Sequence, residues 1–598
     1  MCRFLGLGWR SSWIGLFCIA ALLLSHPAHA GQPAIYVDPA LACAGRTPCF
    51  ATIQEGVRNA MPGALVNVFP ADYAESVDIG LMGDAIGGPL DDLTLRTVNG
   101  AAIPTPGTAS IMPASGAGIF NSVAPFTGDL SIDGFTIQSP DDSGIEVAIE
   151  GTVNLSHLVC DGNQEFGFVA DLRSGDVNVT DSSFSNNESA GLQFATANNV
   201  NFERVTANGN GDDGAAFVAT GNVRVSESTF NENKDDNGLV FVTDGDVDFE
   251  RVTASSNVEF GANFVAGGNV RIYESHFDDS KDQIGLAFVS EGDVSLEEVT
   301  ALRNAESGAT FVLQGNLYIG HASFNDNQSG DGLLFQGAVD VTFERVNADR
   351  NADNGARFLA SGNVSISHSS FSENKGGTGL SIINAVNVTL EQVVADGNRD
   401  DGAALVLAGG GSMRVADSSF SDNTNGTGLT IVGGARLEVA RIVASRNGDD
   451  GLVDVGVENA TIVGSRFEDN AGDGVILVPS TSSGEFVLRC NDIAGNARGL
   501  VVAGNVAVLA ENNYWGSPSG PTHPSNPAGT GDSIVDGANG GAGTVDFIPF
   551  LIRSAAESGQ CATDPVPALD TTALAVLLFA LFLLPARRLA RARLARPS

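Results

Sequence analysis

Positive charge is scarce in this sequence. Lys and Arg number 31 against 71 Asp and Glu, a net charge of −40, and lysine occurs only at Lys234, Lys281 and Lys375. Such a chain repels phosphate backbones and anionic lipid, so nucleic acid is excluded as a partner, while metal cations and basic proteins are attracted. Histidine is sparse too: beyond residue 30 it stands only at His157, His276, His321, His368 and His523.

The two ends carry the apolar runs. Arg3 and Arg10, the run "WIGLFCIAALLL" and the small residues Ala28 to Ala30 read as a secretory leader, residues 1–30. Export makes disulfides permissible. Cys43 and Cys49 are close in sequence and are expected to bridge, and Cys490 and Cys561 form a second candidate pair. At the other end "ALAVLLFALFLL" is followed by "ARRLARARLAR". With "VPAL" (Val566 to Leu569) that zone reaches the ~20 residues of a membrane helix, and the basic tail would stay cytoplasmic.

Between the ends a sentence recurs. "GNVRVSESTFNENKDDNGLVFV" (Gly221 to Val242) returns as "GNVRIYESHFDDSKDQIGLAFV" (Gly268 to Val289), with a half-repeat of similar length in between. Each half holds three short β-type runs separated by Gly, Asn and Asp. That length suits one coil of three strands, each pairing with its copy one coil away at ~4.8 Å. The columns agree. Asn stands at Asn187, Asn210, Asn233, Asn257, Asn304, Asn327, Asn351 and Asn374, with Ser280 in the single gap. An amide both donates and accepts, so stacked copies can bond along the axis. Three residues earlier Phe and Ala alternate (Phe230, Ala254, Phe277, Ala301), large on small, which fills volume without crowding. Cys160 occupies the same column and reads as a buried thiol. A second file is all Phe from Phe194 to Phe358, expected to be an internal aromatic stack. A helical pattern is clearest over Thr52 to Met61, where a short helix would cover the first coil and hide an open sheet edge.

These residues resemble the bacterial right-handed parallel β-helix proteins of the pectin-lyase-like fold. The segment "PCFATIQEGVRNAMPGALVNVFPADYAESV" looks like the family's N-terminal cap, the Asn-laddered repeat like its coils, and "NNYWGSPSGPTHPSNPAGTGDSIVDGANGGAGTVDFIPFL" (Asn512 to Leu551) like its last coil and tail. The C-terminus resembles the Ile-Pro-Thr-Leu type of bacterial sorting signal, with Val566 and Ala568 departing from that pattern. That resemblance implies a Gram-negative bacterium and a protein held in the inner membrane or processed for the cell surface. The expected fold is all-β: a single right-handed parallel β-helix, three strands per 23–24-residue coil, with a short N-terminal capping helix and a C-terminal transmembrane helix. The expected division is a leader (1–30), cap and first coils (31–120), β-helix (121–551), linker (552–565) and membrane or sorting segment (566–598).

The fold hosts lyases, hydrolases, esterases and epimerases, but fold does not give function. The Gly-His-Gly and Arg-Ile-Lys motifs of polygalacturonase-like enzymes and the Asp-Pro-His-Asp of epimerase-like ones are missing. Each lysine follows a ladder position by one residue, which marks turn decoration rather than a lyase base. His276, His321 and His368 fall on successive two-coil repeats, ~10 Å apart and too far to share a metal. The acidic turns are the remaining candidate: Asp212, Asp213, Asp236 and Glu259 share one turn position or its neighbour, and clustered carboxylates could take Ca²⁺. No cofactor is otherwise required. Arg224, Asp248 and Arg271 should pair across strands. The least regular stretch, Gly80 to Glu150, is where an unfamiliar site would hide. The reading is an exported, envelope-associated, monomeric, non-catalytic scaffold of surface or adhesion type, with a polysaccharide or other surface ligand as its partner. The alternative is a polysaccharide-active lyase or hydrolase, or a carbohydrate-binding module, on the same fold.

Overall fold

The computed structural model describes residues 34–82, 92–98, 109–122, 125–195 and 198–561. One turn explains the rest. Val223–Ser226 is a strand whose Val223 and Val225 point inward. Glu227 then adopts a left-handed backbone (φ +50°) and bends the chain. Thr229 bridges Thr206 and Thr253 on the neighbouring turns, Phe230 enters the core, and Glu232 (φ +59°) bends the chain again. Asn233 follows, then a loop, then the strand Leu239–Thr243 with Leu239 and Phe241 inside. The next turn begins at Val247, in register with Val223. Period-2 alternation thus supplies the core wall, and two left-handed residues per turn supply the corners.

Stacking these units gives two long parallel sheets. Sheet 1 has 22 strands and includes Val223–Ser226, Val247–Glu250 and Val270–Tyr273. Sheet 2 includes Ala215–Ala219, Leu239–Thr243 and Ala262–Ala266. The expected third strand is present in the first and last turns, where Phe135–Ile137 pairs with Ala109–Ile111 and Arg466–Glu468 with Asp492–Ala494, and in the middle turns it shrinks to a file of single-residue bridges running Thr206, Thr229, Thr253, His276, Thr300. The reason is local: the left-handed corners at Glu227 and Glu232 leave too few residues between them for an extended run.

The interior is a set of vertical files. Phe230, Ala254, Phe277 and Ala301 are fully buried and alternate large on small. Rings from Phe194 to Phe358 stack with centroids 4.4 to 5.2 Å apart and planes within 10° of parallel. Each such contact is worth ~0.5–1.5 kcal/mol beyond area burial. The amide file binds the turns together: Asn210 donates from both Nδ2 (3.2 Å) and its backbone N (3.0 Å) to Asn233 Oδ1, and Asn233 does the same to Asn257. Asn187 bonds Asn210, and the chain resumes as Asn304, Asn327, Asn351 and Asn374. A glycine must precede sheet 2, because a Cβ at Gly238 would lie 2.5 Å from Gly261 O and 2.7 Å from Asn257 Nδ2.

Both helical expectations need correction. At the N-terminal end the helix is only Ile53–Arg58, capped by Thr52 Oγ1 and stopped at Asn59. Its Gly56 lies against Val37, Val66 and Ile35. The sheet edge there is covered by a strand rather than by the helix: Cys49–Phe50 pairs with Ile35–Val37. No helix among the described residues is long and apolar enough to cross a membrane, so what is described is an all-β solenoid with no transmembrane helix among those residues. The stretch 566–598 that carried that expectation, like the leader 1–30, lies outside the described residues. Disulfides join Cys43 to Cys49 and Cys490 to Cys561. The latter, with Ala555 N donating to Asp492 Oδ1 (2.6 Å), docks residues 552–561 on the solenoid.

Candidate functional site

The acidic turn does not assemble a donor set. Asp213 is turned inward, where its Oδ1 accepts from Asn237 N (3.1 Å) and Nδ2 (2.9 Å); burial pushes its carboxyl up to about 6 against those bonds. Asp212 and Glu259 are raised first by partial burial and then by Asp236. Asp236 is itself engaged by the Asn237 amide. Among the described residues no group of three or more His, Cys, Asp or Glu is placed to hold a metal ion.

The histidines separate. His276 belongs to the bridge file, with Nδ1 2.8 Å from Thr300 Oγ1. His321 and His368 are left-handed corner residues (φ +52° each). His523 is buried in the C-terminal cap, Nε2 3.1 Å from Asp536 Oδ1 and Nδ1 2.7 Å from Ser525 Oγ. The backbone N of Ser525 also donates to Nδ1 (3.2 Å), and Asp536 accepts from Ala538 N and Val545 N, so the group fastens the terminal loop. Burial pushes the Asp536 carboxyl up, but these bonds win and hold it below its usual range. Burial, then Asp161, raises the Cys160 thiol well above its ordinary value, which removes the thiolate a nucleophile needs.

The left-handed corners carry a device that column reading overlooked. At the second corner of each turn acid and arginine alternate from Asp279 to Glu373 and again from Asp422 to Asp469. Arg303 clamps Asp279 through Nε (2.8 Å) and Nη2 (2.7 Å), Arg350 clamps Asp326 (2.9 and 2.8 Å), and Arg446 clamps Asp422 (2.7 and 2.6 Å). A non-glycine residue in this backbone region costs ~1–2 kcal/mol, and the bidentate pairs are the orienting contacts at these corners. The signal lay in residues one before each ladder Asn. On sheet 1 Arg271 pairs with Asp248 at 2.7 Å as expected, whereas Arg224 reaches Glu250, at 4.0 Å.

Two places depart from this regularity. One is the outer face of sheet 1. From Asn154 to Thr461 its outward positions hold polar, charged and small residues except for Tyr273 and Tyr318. The Arg271 guanidinium lies 5.4 Å from the Tyr273 ring centre. Tyr318 folds across Gly320: a Cβ there would sit 2.9 Å from its ring. Gly320 is in register with Glu297 on one side and Glu344 on the other, so the phenol lies between two carboxylates. Burial first, then Glu297 and Glu344, raise its pKa. A shallow groove of about 460 Å³ runs beside it, lined by Arg271, Ser295, Tyr318 and Thr342. Aromatic faces and hydrogen-bonding carboxylates offer stacking and polar contacts to a sugar ring, and the cation among them, Arg271, is already paired with Asp248.

The other is a groove of about 570 Å³ on the first turns, between Ser76, Asn121, Asp142, Glu146 and Asp171. It falls in the irregular region flagged by the sequence. Partial burial, then Asp142 and Glu165, raise the Glu146 carboxyl, the property of a general acid.

The family described as the right handed beta helix region matches residues 115–254, 284–415 and 354–515, more than half of the chain. No curated protein and no solved structure matches it.

Proposed function

The chain belongs to the right-handed β-helix family, and from that premise we propose that it is an exported, non-catalytic surface scaffold that binds a neutral polysaccharide along the outer face of sheet 1. The observation that carries this reading is the placement of Tyr273 and Tyr318 on an outer face that carries no other aromatic residue from Asn154 to Thr461, beside Arg271, Glu297 and Glu344. The two tyrosines lie two turns apart, ~10 Å along the axis, a spacing that engages two places on one extended chain. The acidic charge of the molecule favours neutral over uronate polymers. Two disulfides support an oxidising compartment. The paired charges at the corners support a scaffold, since they leave repeated surface positions committed to structure.

Titration calorimetry against neutral and acidic polysaccharides tests the reading. Binding is expected for a neutral polymer, with Tyr273→Ala and Tyr318→Ala each costing about 2 kcal/mol, roughly a thirtyfold loss. Binding that survives both substitutions would remove the reading. A second reading, a glycan-cleaving enzyme, is favoured by the raised Glu146 carboxyl in the larger groove. It requires new chain ends that vanish in Glu146→Gln.

A further inference from the structure

The outer face of sheet 2 stands apart from the other surfaces of the described residues. From Val218 to Val455 every turn but one places an apolar side chain outward in the same file, with an exposure between 37% and 48%. The register runs Val218 on Val242, Val242 on Val265, Val265 on Val289 and on to Val312 on Gln336, is shifted by a bulge between Phe335 and Ala338, and resumes from Leu359 on Ile383 to Val432 on Val455. Gln336 is the one polar member, five turns from either end. The outward positions two residues earlier are Ala, Val, Asn, Thr, Leu and Ser. Arg357 is the only charged residue on the face, and Asp331 neutralises it at 2.9 Å.

In a chain with 71 acidic residues, a ladder of exposed aliphatic side chains without a carboxylate is not what solvation asks for. Exposed apolar patches of this size mark interaction surfaces. The face is about 50 Å long and about 16 Å wide, roughly 800 Å², which is what each partner contributes to a standard stable interface.

We propose that this face is where two copies of the chain pack together, sheet against sheet, about a two-fold axis at Gln336. Three features select a second copy over another occupant. Two molecules of net charge −40 repel wherever their acidic surfaces meet, and this is the extended face on which that repulsion is least. Its straight file of similar side chains is complementary to itself, as an isologous interface requires. The single amide stands at the midpoint, so either two-fold arrangement that superposes the files puts Gln336 against its own copy, where donor meets acceptor. Any shifted register leaves that amide facing an aliphatic side chain. The face is opposite in kind to the tyrosine face of sheet 1, so pairing leaves the proposed glycan site open.

Sedimentation velocity of the whole protein at micromolar concentration tests the proposal. A dimer is expected. Val289→Glu and Leu359→Glu, exposed positions on either side of the midpoint, each bury a charge in the pair and should weaken it roughly a hundredfold, with circular dichroism unchanged. Gln336→Cys should form an intermolecular disulfide on mild oxidation. A monomer throughout the micromolar range overturns the proposal. So does a dimer indifferent to both glutamates, or one in which Gln336→Cys never cross-links. None of these outcomes bears on glycan binding, which is read separately with Tyr273→Ala.

Discussion

Asp454 is the one acid in the central core file. It occupies the position that Phe241 and Phe264 hold in earlier turns, in register between Ile431 and Leu477. It is 0% exposed, and neither oxygen has a well-formed hydrogen bond. Burial pushes its carboxyl up to about 7, opposed only by the backbone N–H of Val457. In the unfolded chain an aspartate titrates near 3.9. Between those values the folded protein holds a proton that the unfolded chain has released. Stability from this group is therefore intact below pH 4 and falls as pH rises towards 7, by about 1.4 kcal/mol per pH unit and about 4 kcal/mol in all. Asp454→Leu removes the charge and supplies the volume its neighbours already use. Denaturant unfolding should find the variant more stable than the parent at pH 5 by about 2 kcal/mol, the charge cost already present there plus the unpaired carboxyl. The gap should widen by about 3 kcal/mol at pH 8. A gap that stays constant with pH would refute the reasoning, since it would mean the carboxyl is not charged against its burial.

Other outcomes follow from the same files. Asn233→Ala strips the acceptor from Asn210 N and Nδ2 and should cost about 2–4 kcal/mol, read as a lowered Tm. Ser280→Asn should raise stability by about 1 kcal/mol, because Ser280 Oγ is buried without a partner and Asn304 Oδ1 receives only the backbone N of Ser280 (2.9 Å). A neutral or destabilising result there would mean the gap is filled by something other than a missing amide.

Much of this architecture was legible because a repeat writes each contact many times. The Asn column, the Phe–Ala alternation and the Phe stack are identities at fixed intervals, and stacking turns them into hydrogen bonds and ring contacts with no further information. What could not be read was set by backbone geometry. The left-handed corners at Glu227 and Glu232 shorten the third run to a bridge, and nothing in their side chains announces a positive φ. A corner of the same kind takes up His321 while His276 stays in the bridge file, so the two do not share the line on which the repeat spacing had set them. The acidic turn looked like one cluster because Asp212, Asp236 and Glu259 share a column with Asp213 beside it, yet Asp213 turns in to Asn237 while Asp212 and Glu259 stay nearer the surface. Tyr318 became visible as a site residue only once Gly320 was seen beneath its ring. The valine file of sheet 2 was in plain sight, but β-branched residues in a strand read as core until exposure is known.

The central claim is that this scaffold holds a neutral glycan without changing it. Incubation of the protein with the polysaccharide it binds, followed by chain-length analysis of the recovered polymer, tests that claim most directly. The account predicts polymer retained through Tyr273 and Tyr318 and recovered at its original length. Shortened chains or new unsaturated ends, abolished by Glu146→Gln, would contradict it.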